Sequence, residues 1–246
     1  MIGIGVGPSL GGLPPFTSPK LLSGLVAWYR ADKGTTIATG VSAWADQSGV
    51  GDANRNLTQA TGAKQPTLNA SDATYNHQAT LSFASAASQY LASGTFSVAI
   101  PNPSTQFVVG NWDGAASVEV MLDGIDGTNR QAIFNGGSGG STVVAFFAGT
   151  QVNATVANNA VPLVMCALNN GASSGQYVNA KTPKSTTNPG ANTAAGVTVG
   201  IDNDKASFPL NGKVAEVIVY NRALSQNEIN RVLGYLGTRY GITIGS

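Results

Sequence analysis

Val214-Ala215-Glu216-Val217-Ile218-Val219-Tyr220 is joined by Asn221-Arg222-Ala223-Leu224 to Ser225-Gln226-Asn227-Glu228. The first seven residues are mostly β-branched or aromatic and end at an Asn, which predicts a strand. Ser225 and Glu228 stand three apart, the spacing at which hydroxyl and carboxylate each satisfy a free amide of a first helical turn. Leu224 and Ile229 fit a hydrophobic staple, and Ile229, Val232, Leu233, Leu236 and Tyr240 recur on one helical face. Gly241 fits the left-handed stop. A strand followed by one helix with a single apolar stripe implies a closing element laid on a sheet.

Upstream, the same strand reading repeats. Short runs occur at 25–30, 79–83, 95–100, 106–109, 118–122, 131–134, 142–147, 161–168, 176–178 and 197–201, separated by Gly, Asn, Asp, Ser and Pro. Runs of this length and spacing predict an all-β antiparallel sandwich with one C-terminal helix. Residues 1–24 differ. Their glycines and prolines forbid regular structure, so they are expected to form an extended docking arm, with Ile2, Ile4, Val6, Leu10, Leu13 and Phe16 as its apolar contacts. The sandwich domain is then 25–246.

Composition narrows the function. Of 246 residues only 10% are charged and the net charge is +1, so the electrostatic footprint of a nucleic-acid binder is missing. No apolar run approaches the roughly 18 residues of a membrane span. Cys166 is the only cysteine and lies in an apolar run, where a buried thiol is expected. Met1 to Gly7 has no basic start and no unbroken apolar stretch, so no signal peptide is expected.

Two stretches carry a family resemblance. The first runs from Leu25-Val26-Ala27-Trp28-Tyr29-Arg30-Ala31-Asp32 through Trp44-Ala45-Asp46-Gln47-Ser48-Gly49 to Gln65-Pro66, then Leu81-Ser82-Phe83 and Tyr90-Leu91. The second is Leu210 to Ser225 with Glu228, Tyr235-Leu236 and Arg239-Tyr240-Gly241-Ile242. Together they resemble the laminin-G-like, concanavalin A-like jelly rolls of bacterial and phage proteins. The resemblance implies the fold, with Trp28, Trp44 and Glu216 in structural places; that fold hosts many unrelated functions. The Met-Ile-Gly-Ile-Gly opening also resembles small phage structural proteins.

Hydrolases of this fold need paired carboxylates. Glu119 with Asp123 is the one candidate pair, and Asp123-Gly124-Ile125-Asp126-Gly127 reads more naturally as a turn. His77, the only histidine, is expected in a solvated loop. No cofactor is expected. The resemblance admits calcium at a sandwich rim, with Asp46, Asp113, Asp123, Asp126, Asp202 and Asp204 as oxygen donors. For sugar, Asn111-Trp112-Asp113-Gly114 offers an aromatic beside amide and carboxylate, so Trp112, Asp113, Asp123 and Asp126 are the ligand-binding candidates.

The expectation is a non-enzymatic virion protein, a capsid decoration or tail-associated subunit made in the host cytoplasm. Its arm would join it to other virion proteins, as a homo-oligomer. The alternative is a lectin-like domain for host surface glycans.

Overall fold

A computed structural model describes residues 16–113, 118–136, 142–156 and 160–246. Two antiparallel sheets face one another and a helix covers the far side of one of them.

Among the described residues, the central sheet is built from β1 (Leu25–Arg30), β5 (Thr67–Asp72), β6 (Gln78–Phe83), β8 (Ser104–Trp112), β13 (Leu163–Asn169), β14 (Gly175–Val178) and β16 (Gly212–Tyr220). Its order is β14-β13-β8-β16-β6-β5. β16 pairs with β8 along its length, and its other edge is shared: Gly212–Val214 pair with β6, and Glu216–Tyr220 pair with β1. The outer sheet contains β2 (Thr35–Ile37), β3 (Val41–Trp44), β4 (Leu57–Thr58), β7 (Leu91–Ala92), β9 (Val120–Asp123), β10 (Ala132–Asn135), β11 (Val143–Phe147), β12 (Gln151–Thr155) and β15 (Thr198–Val199), in the order β12-β11-β10-β9-β15-β7-β4-β3-β2.

Strands β8, β13 and β16 of the central sheet are buried on both faces, which explains their unbroken apolar runs, while the edge strand β5 is largely exposed. On β8, Val108 and Trp112 enter the core between the sheets, while Phe107 and Val109 face the helix layer. On β13, Met165 and Ala167 take the first side and Val164, Cys166 and Leu168 the second. Helix α1 (Gln226–Tyr240) supplies Ile229, Val232, Leu233, Leu236 and Tyr240 to that second layer. Its N-terminus carries both bonds of the capping box, and Gly241 ends it at φ 68°. The outer sheet has a wetter outer face, visible in β12, where Val152 and Ala154 are buried and their neighbours are exposed.

A buried carboxylate joins helix to sheet. Glu216 on β16 is fully buried and accepts from Trp28 Nε1 at 2.6 Å, Tyr240 Oη at 2.8 Å and Tyr235 Oη at 3.2 Å. The Trp44 to Gly49 motif is also structural. Trp44 donates to the Arg30 carbonyl at 2.7 Å, and Asp46 accepts from the Trp28 amide at 2.8 Å, the Ser48 amide at 3.0 Å and the Ser48 hydroxyl.

The run at 95–100 is not a strand. Only Ile100 forms a bridge, to Ala194; Phe96 is buried while Val98 is 69% exposed, so its side chains anchor a loop. Of the N-terminal segment, Pro19 and Leu22 are buried on the helix layer, and Phe16 meets Tyr235 edge-on at 5.9 Å with Arg231 over its ring at 5.1 Å. Ile2, Ile4, Val6, Leu10 and Leu13 lie outside the described residues.

Candidate functional site

The outer face of the β9–β10–β11 ribbon carries a small apolar cluster: Val120, Ala132, Phe134 and Ala145, with Val118 and Phe147 packed against it. The segment after β15 folds over one side of it. Asp204 sets that loop by accepting from the Ala206 and Ser207 amides at 2.8 Å and the Ser207 hydroxyl at 2.6 Å. Its Phe208 carbonyl then accepts the Val120 amide at 2.9 Å. Phe208 holds φ at 52° and leaves its side chain 47% exposed. A bulky residue in the left-handed region is strained, at about 1–3 kcal/mol.

Between these walls lies a cavity of about 280 Å³, lined by Phe134, Phe147, Phe208, Arg130, Asp202 and Gln151, with Val118 and Val120. Arg130 lies 5.2 Å over the Phe147 ring. Its Nε and Nη2 form a two-pronged pair with Asp123 at 3.0 and 2.7 Å, and Nη2 also reaches Asp202 at 2.8 Å. Asp123 further accepts from the Gly124 amide at 2.7 Å and the Asn203 amide at 3.0 Å. Burial, then the hydrogen bond and charge of Asp202, push the Asp123 carboxyl up to about 8 against the opposing pull of Arg130. Burial also works against ionisation of Asp202, but its hydrogen bonds to Asp123 and the Asn203 amide, with the Arg130 charge, hold it below the usual range. The two carboxyls therefore share one proton over the neutral range.

The residues singled out in the sequence do not form one site. Trp112 is fully buried in the inter-sheet core, its Nε1 donating to the Glu119 carbonyl at 3.1 Å; its faces pack on protein and offer no stacking surface. Asp113 is exposed and accepts from the Asn111 side chain at 2.9 Å. Asp123 is buried and spent on Arg130, and Asp126 caps its own turn through the Thr128 and Asn129 amides at 2.9 and 2.6 Å. Glu119 is buried and bonded to the Asn211 amide at 3.0 Å, so it does not pair with Asp123. Burial, the first cause, raises the Glu119 carboxyl above its ordinary value. His77 is exposed.

Among the described residues no three His, Cys, Asp or Glu gather where they could hold a metal. Asp126 and Asp204 are satisfied by their own turns, Asp46 by its turn and the Trp28 amide, Asp113 accepts from Asn111, and Asp123 and Asp202 are held by Arg130 and Asn203. That set does not fit the six to eight oxygens of a calcium shell.

Of the residues that make the groove, the sequence points to Asp202 alone, and as a calcium donor; Arg130, Phe147 and Phe208 carry no such mark. The available signal was Ser207-Phe208-Pro209, an isolated aromatic in a polar loop. A second groove of about 720 Å³ runs along α1 beside Phe16, Arg231, Tyr235 and Arg239. No helix among the described residues is long and apolar enough to cross a membrane.

No family model matches this chain, and no curated protein matches it. Solved structures do resemble it. A Trypanosoma rangeli sialidase in complex with 2,3-difluorosialic acid aligns at a TM-score of 0.59 and 12% identity over 92% of this chain and 34% of that one. The binding domain of botulinum neurotoxin serotype D/C aligns at 0.56 and 13%, over 87% and 52%. A botulinum neurotoxin type C structure, described as depending on interaction with two ganglioside molecules for cell entry, aligns at 0.52 and 11%, over 87% and 51%. The chain spans about a third to a half of the length of these neighbours. At such identities the likeness is one of β-sandwich fold.

Proposed function

We propose that this chain is a non-catalytic, lectin-like glycan-binding module whose combining site is the groove on the outer sheet. The observation that carries the reading is Phe208, an exposed aromatic kept in a strained backbone state at the lip of a cavity floored by Phe134 and Phe147. Strain of this kind persists where surrounding structure enforces it, and binding sites are a common place for it. An aromatic wall accepts the C–H face of a sugar ring, and Arg130, Asp202 and Gln151 supply hydroxyl partners at the rim. Small-molecule sites have this composition, apolar walls with few polar groups, and the cavity is at the small end of their range. The non-catalytic reading is supported by the carboxylates themselves, since Asp123 and Glu119 are buried and engaged by protein donors. The ganglioside interaction attributed to the type C neurotoxin is consistent with a glycan role for this fold, and adds nothing about residues. A glycan array probed with the wild type and with Phe208→Ala tests the proposal. Signals lost in the variant support it; signals unchanged in the variant move the site elsewhere, and a silent wild type removes the proposal.

A structural role in a virion, with homo-oligomers joined through residues 1–24, is the second reading. What favours it is Phe16, seated on α1 beside a groove larger than one ring fills. None of the neighbours reported above is described as a virion protein. Comparing the solution mass of the full chain with that of a chain lacking residues 1–15 decides it: equal monomers sink the arm as a self-assembly element.

A further inference from the structure

We infer that the groove selects uncharged glycans over acidic ones, an inference that rests on the glycan-binding reading above. Among the described residues Arg130 is the only cation lining the cavity, and it is already committed. A sugar carboxylate would be held best by the two-pronged edge of a guanidinium. Here that edge, Nε and Nη2, is occupied by Asp123 at 3.0 and 2.7 Å, and Nη2 is shared with Asp202 at 2.8 Å. The guanidinium is further fixed by the Phe147 ring beneath it. Swinging it out to meet an acid would strip the buried Asp123 of both its guanidinium contacts.

Charge arithmetic gives the same answer. The lining holds one cation, Arg130, and one carboxylate, Asp202, 2.8 Å apart, with the buried Asp123 behind them. The charged part of the lining is therefore balanced and carries no net positive charge. Asp204 and Lys205 are adjacent in the loop that carries Phe208, both outside the lining, and their charges offset one another. An acidic sugar entering here meets like charge and no free basic fork. A neutral sugar meets what its hydroxyls need: carboxylate oxygens on Asp202, the Arg130 Nη1 hydrogens, and the Gln151 side-chain oxygen, whose amide nitrogen is turned to Asn153 at 2.8 Å.

The test is a glycan array on which each neutral oligosaccharide is printed beside the same chain capped with sialic acid or carrying a uronic acid. The expected result is binding to neutral members, about tenfold or more weaker to their acidic counterparts. In Asp202→Asn, which removes one negative charge from the lining, that gap should narrow. Equal or tighter binding to the acidic members by the wild type overturns this inference. If such binding is also lost in Phe208→Ala, the combining site itself survives. Binding to no glycan, neutral or acidic, overturns both.

Discussion

The indole nitrogen of Trp28 donates to the Glu216 carboxylate at 2.6 Å, a contact spanning 188 residues of chain inside a fully buried pocket. Tyr235 and Tyr240 reach the same carboxylate from α1, so one side chain ties β1, β16 and the helix together. Deleting it would strand three donors without partners, a cost that exceeds that of any single bond. Glu216→Ala is expected to lose about 3–5 kcal/mol, while Glu216→Gln, which keeps an acceptor, should lose less. Chemical denaturation of the three proteins measures this. Overlapping curves for Glu216→Ala and wild type would remove the anchor.

Phe208 should behave as a residue kept against the interest of stability. Asn tolerates the left-handed region far better than Phe, and the half-exposed ring contributes little packing. Phe208→Asn is expected to match or exceed wild-type stability by up to about 1 kcal/mol and to abolish glycan binding. A clear loss of stability would show the ring to be a packing element.

The Asp123–Asp202 pair should imprint itself on the pH profile of stability. Asp123 has an ordinary value of 3.8 and is raised to about 8 in the fold. Between those values the folded state holds a proton that the unfolded chain has released. The contribution of Asp123 is therefore complete below about 3.8 and declines as pH rises towards 8. Asp123→Asn cannot titrate, so its stability relative to wild type should improve steadily across this window. A constant difference between the two profiles would contradict the shared proton.

Trp112 should matter for folding and not for recognition by stacking. It is wholly buried between the sheets, and truncation to Ala is expected to cost about 3–5 kcal/mol, read as a fall in denaturation midpoint. A variant as stable as wild type would place the ring outside the core.

What could be read from the sequence was what local rules encode. The capping box of Ser225 and Glu228 and the stripe from Ile229 to Tyr240 depend on neighbours three or four residues away, and they appear as expected. The long runs of β8, β13 and β16 are visible because these strands are buried on both faces. β4 and β7 escape because each has two residues and contributes Leu57 or Leu91 alone to the core. The cluster Asn111-Trp112-Asp113 looked open because its neighbours are polar. Extending the strand beginning near Gln106 would have shown position 112 in phase with Val108, on the inward face. The groove is a different matter. Arg130, Phe147 and the loop pair Asp202 and Phe208 come from three segments that only the outer sheet and its covering loop bring together, so no spacing announces the groove.

The shared edge of β16 has a consequence for how the molecule is made. Among the described residues β1 has no partner in the central sheet except β16, and β6 and β8 meet only through it. A chain whose synthesis has stopped before residue 212 holds that sheet as three separate pieces: β14-β13-β8, β6-β5, and β1 alone. Ribosomes add residues at about 5–20 per second. The earlier strands must therefore wait, solvated and with open edges, for a strand that emerges after all of them. Nascent chains arrested at residue 211 should be cut readily by protease, and chains extended past α1 should not. Assembly of this sandwich is thus timed by the emergence of β16, and chaperones have longest to act on the edges of β8 and β6.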